Sequence, residues 1–405
     1  MVCSPTQSTG LWEPLSRREF ILLFQIPLGS MAQTIDIAIV GQGIVCRGAA
    51  NTDQLSSNIK GKRGFARDVD GTRWTSSPDL IVHKALYPDK AIGRHACLIS
   101  DFKADLGGFQ HSAESLAPLD PLYHYTLHAG REALVNVDPT AVDPRCVGVI
   151  LAAIALPTDA SSALTRDLFN AAIASGALPD MDPGPPETIS RNDILASRVT
   201  SLPAALLASA FGFKGGTYTL DAACASSLYA LKLSCDELIA GRADMMVTGG
   251  VSRPDCLYTQ VGFSQLRALS PSGRCAPFDA DADGLVVGEG AGILILKRLN
   301  DAIAAEDPIL GVIRGIGLSN DMRGNLLAPD SEGQLRAMRA AYDQAGWDPR
   351  DVDLIECHGT GTPAGDAVEA NSLHELWGDK GWTAGQCAIG SVKSMIGHLL
   401  TGAGA

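Results

Sequence analysis

The chain has 405 residues, of which 46% are hydrophobic and 19% are charged, and 43 are glycine. This composition excludes a disordered or fibrous chain and indicates a globular protein with one large α/β core or two smaller domains. The net charge of −13 argues against nucleic acid as a partner, which needs a basic surface, but it leaves room for a local basic patch.

The first 30 residues differ from the rest and are treated as a leader outside the folded part. Adjacent arginines at Arg17 and Arg18 precede the short apolar run 21–24, an arrangement similar to a twin-arginine export signal. The alternative is an upstream start codon that adds a disordered extension before Met31. The apolar run is too short to span a membrane, and no other segment reaches about 18 apolar residues, so we expect no membrane association.

The first predicted strand covers residues 35–40 and ends in Gly41-Gln42-Gly43. A dinucleotide-binding loop would need its third glycine at position 46, where Cys46 stands, and that assignment is rejected. Residues 60–120 are irregular, with few long periodic runs.

Beyond this region, helices and strands alternate. Helical patterns cover 125–135, 194–211, 224–240, 332–345 and 367–377. Strand patterns cover 146–151, 217–220, 244–247, 293–296, 312–317, 352–357 and 388–392. A proline-rich surface loop is predicted at 179–186. The alternation predicts a mainly parallel sheet covered by helices on both faces.

Ten cysteines are spread from Cys3 to Cys387 without a C-x-x-C pair or a compact Cys/His cluster. This spacing predicts no metal site, and the chain is not the small, loop-rich kind that disulfides hold together. We therefore expect reduced, mostly buried thiols in a cytoplasmic enzyme.

The first chemical motif is the segment 221–227, Asp-Ala-Ala-Cys-Ala-Ser-Ser. A short strand turns here through small residues into a predicted helix that begins at Cys224. A thiol at a helix N-terminus lies in the positive field of the helix dipole, which can lower its pKa from about 8.5 to roughly 3.5–7.5. Neighbouring N–H groups can stabilise an oxyanion, so Cys224 is a candidate nucleophile. The alternative at this point is a small buried thiol.

The second motif covers 353–363, where a strand delivers His358 to its C-terminal end before a Gly-Thr-Gly-Thr loop. Active sites of open α/β sheets lie at such strand ends. We expect Asp366 to cap the following helix with Glu369 as its capping-box partner, and thus to be structural rather than catalytic. Cys357 alternates to the other side of the strand, so it does not share a metal ion with His358.

The third motif covers 389–398, where another strand leads to His398, with Lys393 five residues earlier. A single histidine is usually structural, but two at strand ends, together with a cysteine at a helix start, predict a joint site. This set could bind a thioester carbonyl or a carboxylate. An α/β cysteine hydrolase would also need an acid that orients its histidine, and the sequence offers no such partner.

Together the three motifs resemble the active-site motifs of β-ketoacyl synthases, the condensing enzymes of fatty-acid and polyketide synthesis. The likeness runs in family order from about residue 35 to the last residue. Supporting segments are 38–41, 120–121, 262–270, 277–279 and 288–292. Cys224, where glutamine would indicate a chain-length factor, and His398, where cysteine or asparagine would indicate a thiolase or hydroxymethylglutaryl synthase, both favour an elongating enzyme. The character is that of multidomain polyketide and polyunsaturated-fatty-acid synthases.

The resemblance implies a thiolase-like α/β fold in which two related α/β halves form a five-layer α-β-α-β-α sandwich, usually as a homodimer. The N-terminal half would cover 31–300 and carry the nucleophile, and the C-terminal half would cover 301–405 and carry both histidines. A Gly-Phe-Gly-Gly loop and further strands would follow Ala405, so we expect the C-terminal half to be incomplete. The cytosolic thioesters that such enzymes use favour a start-codon extension over an export signal.

By resemblance, Cys224 accepts an acyl group from the phosphopantetheine arm of an acyl carrier protein, and no cofactor is bound. His358 and His398 then bind the malonyl thioester, promote loss of CO2 and stabilise the enolate that attacks the acyl group. Thr360 and Thr362 match positions that hydrogen-bond the pantetheine arm.

Lys393 matches a lysine that orders the surroundings of His398. The sequence departs from the family at Met395, where asparagine is usual, and at 285–287, where Leu-Val-Val replaces Phe-Val-Arg. The main hypothesis is a decarboxylating, elongating ketosynthase domain. The alternative is a truncated, non-catalytic subunit that only dimerises or binds carrier protein.

Overall fold

The computed structural model describes residues 36–69, 73–74, 76–100, 102–177, 202–324, 329–378 and 385–405. Its strands are β1 (Ile37–Cys46), β2 (Arg67–Asp68), β3 (His95–Cys97), β4 (Val147–Ala153), β5 (Thr217–Leu220), β6 (Met245–Ser252), β7 (Val287–Gly288), β8 (Gly290–Arg298), β9 (Gly311–Ile313), β10 (Leu354–Glu356) and β11 (Ala388–Gly390). Its α-helices are α1 (Thr52–Lys60), α2 (Pro78–Ile81), α3 (Ala113–Leu116), α4 (Pro121–Ala133), α5 (Asp159–Ala174), α6 (Leu202–Phe211), α7 (Ser226–Ile239), α8 (Cys256–Gln265), α9 (Leu299–Ala304), α10 (Ser331–Ala345), α11 (Pro363–Trp377) and α12 (Lys393–Ile396).

The central sheet has six strands in the order β5-β4-β6-β8-β1-β9. Strand β4 is parallel to β5 and β6, whereas β8 is antiparallel to β6 and β1, and β9 is antiparallel to β1. The prediction of a mainly parallel sheet is therefore wrong, because the sheet is mixed. The connection 266–289 returns the chain to the end of β6, where Ser252 lies opposite Gly290. Because β8 begins beside the C-terminal end of β6, it runs antiparallel to β6.

Strand β4 is buried on both faces of this sheet. All 7 of its residues are buried, and its side chains alternate between two apolar clusters. Val149 and Leu151 belong to the cluster that includes α4 and α6, while Ile150 and Ala152 belong to the cluster that includes α7. Full burial of such aliphatic side chains contributes roughly 1.5–3 kcal/mol each. The helices thus pack on both faces, as the strand–helix alternation predicts.

The C-terminal part of the described chain is packed differently. Strand β9 joins the central sheet, but β10 and β11 form a separate, parallel two-stranded sheet. Both strands are three residues long, and Leu354 and Ile389 are 68% and 45% exposed. The backbone of this region therefore receives little support from a buried sheet.

Strands β2, β3 and β7 form a small third sheet. Strand β7 leads into β8, and its residue Val287 forms an isolated parallel bridge with His398. This pairing ties the loop that carries His398 to the start of β8, beside the end of β6.

The predicted elements are present, with shifted ends. Strand β1 extends to Cys46 instead of ending at residue 40, and helix α4 begins at Pro121 rather than at residue 125. Of the predicted helix 194–211, only the part from Leu202 onward lies among the described residues. The leader 1–30 and the proline-rich loop 179–186 lie outside them. Among the described helices, none is both long enough and apolar enough to cross a membrane.

Candidate active site

Cys224 lies in a sharp turn between β5 and α7. The turn is a 3-10 helix, Ala223–Ala225, so the α-helix begins at Ser226 and not at the cysteine as predicted. Ala223 has a φ of +51°, a conformation that costs energy for a residue with a Cβ. A small side chain reduces that cost, which explains why only small residues form the turn.

Two polar side chains hold this turn, and neither is among the site residues predicted from the sequence. Asp221 accepts hydrogen bonds from the N–H groups of Ala223 and Ala155, each at 2.9 Å. Ser226 Oγ accepts from Ala222 N–H at 2.7 Å and donates to the Ala223 carbonyl at 2.6 Å. The turn is thus fixed both to itself and to the segment after β4. A polar residue on each side of an all-small turn is the sequence signal for such a clamp.

The pKa of Cys224 is raised above its ordinary value, in contrast to the prediction. Burial is the largest cause, and the positive charge of Lys393 acts in the opposite direction. The loss of water around the thiol disfavours the thiolate and outweighs the effects that lower the pKa, among them the charge of Lys393. Lys393 is therefore the charged group that favours the reactive form.

His358 lies two residues beyond the end of β10. Its N–H and that of Gly359 donate to the two carboxylate oxygens of Glu369, at 2.7 and 2.8 Å. Glu369 is 8% exposed and lies on the buried side of α11. It is not the capping-box partner that the sequence predicts, because Thr362 occupies the N-cap position without a side-chain capping bond.

Asp366 fixes the next part of the same loop. One carboxylate oxygen accepts from the N–H groups of Thr360 and Gly361, at 3.1 and 3.2 Å, and the other from Phe278 N–H at 2.8 Å. Its predicted structural role agrees with this geometry, but it acts on the loop rather than as a helix cap. The hydroxyl oxygens of Thr360 and Thr362 are 2.8 Å apart and form one polar pair.

His398 is almost fully buried, at 1% exposure. It does not follow β11 directly, as predicted, because the short helix α12 intervenes. Its backbone N–H donates to the Val286 carbonyl at 2.7 Å, and its carbonyl accepts from Gly288 N–H at 2.9 Å. Leu400 N–H donates to Nδ1 at 2.9 Å. Since Nδ1 is the acceptor, the neutral ring carries its proton on Nε2, which is then a donor.

The two imidazoles lie beside each other, with ring centroids 5.5 Å apart and planes at 85°. Burial, followed by the positive charge of Lys393, lowers the pKa of His358 to about 4. Burial, followed by the neighbouring His358 and Lys393, lowers the pKa of His398 well below its usual range. Both rings are therefore neutral near pH 7.

Lys393 begins α12 and is 4% exposed. Its Nζ donates to the Cys357 carbonyl at 3.4 Å. Burial lowers its pKa, while the charges of Glu356 and Glu369 oppose this change. The buried ammonium interacts electrostatically with both Cys224 and His358, so it couples the nucleophile to the histidines.

The turn that carries Cys224, here called the elbow, and the loops that carry His358 and His398 meet through the segment 400–404. The 3-10 turn Leu400–Gly402 contacts the turn that carries Cys224. Thr401 Oγ1 donates to the Val251 carbonyl at 2.8 Å, and Gly404 N–H donates to Ser227 Oγ at 2.9 Å. The structure thus gathers the predicted residues Cys224, His358, His398, Lys393, Thr360 and Thr362 into one region.

The described residues contain no group of three His, Cys, Asp or Glu side chains that could hold a metal ion. The nine cysteines in this part of the chain are free thiols. Cys357 is buried whereas His358 keeps part of its surface accessible, which agrees with their predicted alternation.

This arrangement of a mixed α/β sheet, a turn that carries a cysteine and two loop histidines is that of a thiolase-like fold. The model of the β-ketoacyl synthase N-terminal domain matches residues 34–302, and that of the C-terminal domain matches residues 310–405. The chain belongs to the β-ketoacyl synthase family, as a ketosynthase domain of the polyketide synthase type. The resemblance inferred from the three motifs is confirmed.

Similar proteins include polyketide synthase ThaG of Burkholderia thailandensis, which is 34% identical over 92% of this chain. A mycocerosic acid synthase-like polyketide synthase of Mycolicibacterium smegmatis is 33% identical over 91% of it. The chain spans only 6% and 16% of the length of these two proteins.

Two solved structures are similar over 91% of the chain. The PfaC keto synthase–chain length factor is 36% identical with a TM-score of 0.82, and the chain covers 40% of it. The ketosynthase from module 6 of the bacillaene synthase of Bacillus subtilis is 29% identical with a TM-score of 0.75, and the chain covers 59% of it.

Proposed function

We propose that the chain is a catalytic ketosynthase domain that joins an acyl thioester to a malonyl thioester with loss of CO2, in polyketide or fatty-acid synthesis. The observation that carries this proposal is the hydrogen bond from Leu400 N–H to His398 Nδ1, which leaves Nε2–H as a donor. The neutral imidazole of His358 lies edge-to-face beside it. Two N–H donors suit a carbonyl oxygen that becomes negatively charged during reaction.

The first step loads Cys224. Its thiolate attacks the carbonyl carbon of an acyl thioester, and a C–S bond to Cys224 forms as the bond to the pantetheine sulfur breaks. The proton of the Cys224 thiol ends on the pantetheine thiol, so the step needs no further reactant. The positive charge of Lys393 favours the thiolate, and backbone N–H groups at the elbow are available to the oxyanion.

The second step is the condensation. Loss of CO2 from the malonyl thioester leaves its electron pair on the α-carbon as an enolate, whose oxygen accepts from His358 and His398. The α-carbon attacks the acyl carbonyl, a C–C bond forms and the Cys224 thiolate leaves. A neutral His398 suits this role, because a cationic ring would carry a second proton on Nδ1, facing the Leu400 N–H.

The thioester arm is proposed to lie along the hydroxyl pair of Thr360 and Thr362. Both hydroxyls can donate and accept, and both lie within four residues of His358. An amide of a pantetheine arm could therefore hydrogen-bond here while its thioester reaches the histidines. In this proposal phosphopantetheine is part of the substrate and no cofactor is resident.

An acyl carrier protein is the proposed partner, and an exposed basic ridge supports its docking. The ridge consists of Lys60, Lys62, Arg63 and Arg67, which form no ion pair among the described residues. It adjoins the site, because Phe65 N–H donates to the Met395 carbonyl at 2.8 Å. A positive ridge on a chain of net charge −13 suits an acidic partner.

We also propose a homodimer that works in the cytoplasm, where carrier-protein thioesters are made. The dimer would form at the outer edge of β5, which pairs on one side only among the described strands. Tyr218 on this strand is 41% exposed, and a free strand edge offers backbone groups to a second copy.

Acyl loading tests the proposal. The full chain is incubated with an acyl-pantetheine thioester, and intact mass spectrometry should find one acyl group on Cys224. C224A should not be acylated, whereas C235A, which removes another buried thiol, should load normally. Addition of a malonyl carrier protein should then yield a 3-ketoacyl thioester.

The second candidate is a non-catalytic subunit that dimerises or binds carrier protein. The raised pKa of Cys224 favours it, because a protonated thiol is a poor nucleophile. A folded chain that binds acyl carrier protein but gains no acyl group would establish this candidate and exclude the first.

A further inference from the structure

Cys275 is a buried thiol beneath the loop that carries Thr360. Its side chain lies in a small apolar cluster with Cys97 and Val286, and it is 6% exposed. The Sγ–H group donates to the Thr360 carbonyl at 3.2 Å. The catalytic steps proposed above assign this thiol no role.

The contact fixes a peptide plane on one side of Thr360. Asp366 accepts from Thr360 N–H at 3.1 Å and thus fixes the peptide plane before the residue. Cys275 donates to the carbonyl and fixes the plane after it. Since the two backbone dihedrals of Thr360 lie between these planes, the pair of contacts fixes the direction of its Cα–Cβ bond, from which the hydroxyl extends.

The segment that follows Cys275 strengthens this arrangement. Gly284 N–H donates to the Gly361 carbonyl at 2.9 Å. A Cβ on Gly361, whose φ is +75°, would lie 2.9 Å from both Ala276 N and the Gly284 carbonyl oxygen. The loop therefore lies directly against the backbone of 275–284 at Gly361.

The thiol remains a donor at physiological pH. Burial raises the pKa of Cys275 to about 11, so its proton is retained. A protonated thiol in an apolar cluster has few other acceptors, which makes the Thr360 carbonyl its natural partner.

We propose that Cys275 is a positioning residue for substrate binding, which directs the Thr360–Thr362 hydroxyl pair toward the amide-bearing arm of the thioester. The inference rests on the proposed function, because it concerns how the same site holds its substrate. It predicts that Cys275 affects recognition of the arm and leaves the chemistry at Cys224 unchanged.

The test compares two thioesters with the same acyl group on the full chain. The pantetheine thioester has amides that the hydroxyl pair can bind, and the S-ethyl thioester has none. For C275A, the half-saturating concentration of the pantetheine thioester in Cys224 acylation should rise about three- to tenfold, as expected for one lost hydrogen bond. The maximal rate, and both parameters for the S-ethyl thioester, should change less than about twofold.

Two further variants serve as controls. C275S keeps a donor and should restore the half-saturating concentration to within about twofold of the unaltered chain. C235A removes a buried thiol from the α7 side of the sheet and should not change the preference for pantetheine. An equal loss for both thioesters in C275A, or a loss in maximal rate alone, would overturn the proposal.

A measurement without turnover separates this proposal from the proposed function. Hydrogen exchange by mass spectrometry should show faster exchange in the peptide that contains Thr360 and Gly361 for C275A, but not for C275S or C235A. If the unaltered chain is never acylated, the proposed function fails while this measurement still tests the positioning role. Unchanged exchange in folded C275A would refute that role even in an active chain.

Discussion

The nucleophile and the histidines of this site are held in place in different ways. Cys224 follows β5. This strand pairs with β4, which is buried along its whole length within the central sheet. His358 and His398 follow β10 and β11, which are three residues long and partly exposed. Strand pairing supports the cysteine, whereas side-chain carboxylates and one isolated bridge support the histidines.

This difference indicates that the site has two separable supports. On the cysteine side, ladder hydrogen bonds fix the backbone and two polar side chains shape only the turn. On the histidine side, Glu369 and Asp366 provide the acceptors that a longer sheet would otherwise supply. Changes in one support should therefore leave the other largely intact.

The largest expected effect is on the histidine side. H398A removes one N–H donor from the proposed enolate, and the condensation rate should fall by about 10²–10³. Acylation of Cys224 should remain within a few-fold of the unaltered chain. The two steps are measured separately, by product formation and by intact mass, with the exposed His374 replaced by alanine as a control. An equal loss in both steps would mean that the two supports are not separable.

Removal of Glu369 should destabilise the histidine loop. In E369A, the N–H groups of His358 and Gly359 lose their charged acceptor, and the free energy of unfolding should fall by roughly 2–4 kcal/mol. Urea unfolding measures this change. E375A, which removes an exposed carboxylate on the same helix, should change it by less than about 0.5 kcal/mol. A loss in E369A no larger than in E375A would contradict the proposed support.

The pH dependence of stability tests the burial of His398. An unfolded histidine titrates near pH 6.5, and burial lowers the pKa of folded His398 well below that value. The unfolded chain therefore binds more protons below about pH 6.5. As the pH is lowered below this value, this residue decreases the free energy of unfolding by at most about 1.4 kcal/mol per pH unit. H398Q should remove that part of the slope between pH 6.5 and 5. An identical slope in both proteins would show that His398 is not the source.

The smallest expected effect is on the cysteine side. S226A removes the two hydrogen bonds that clamp the elbow, and it should lower the free energy of unfolding by about 1–2 kcal/mol and slow acylation of Cys224 a few-fold. Ser234 on the same helix is equally buried and its hydroxyl has no hydrogen-bond partner among the described residues. S234A should therefore leave both quantities unchanged or increase stability slightly. A larger loss in S226A than in E369A would reverse the comparison between the two supports.

Much of the fold followed from local patterns. The strand at 217–220 was predicted with its observed ends, and the helices at 332–345 and 367–377 were predicted to within a few residues. The strand at 146–151 was predicted from its continuous apolar run, and β4 is observed at Val147–Ala153. The division into halves at 31–300 and 301–405 remains a prediction.

The sequence by itself determined the three motifs, and with them Cys224, His358 and His398, because residue type and order along the chain are sufficient to indicate a thiol and two imidazoles. Only the tertiary structure decided that β8 runs antiparallel, that burial raises the pKa of Cys224, and that Glu369 holds the His358 loop. It also decided the tautomer of His398, through Leu400 N–H. These properties depend on which distant groups meet and how much water they lose, and neither is encoded in the spacing of a motif.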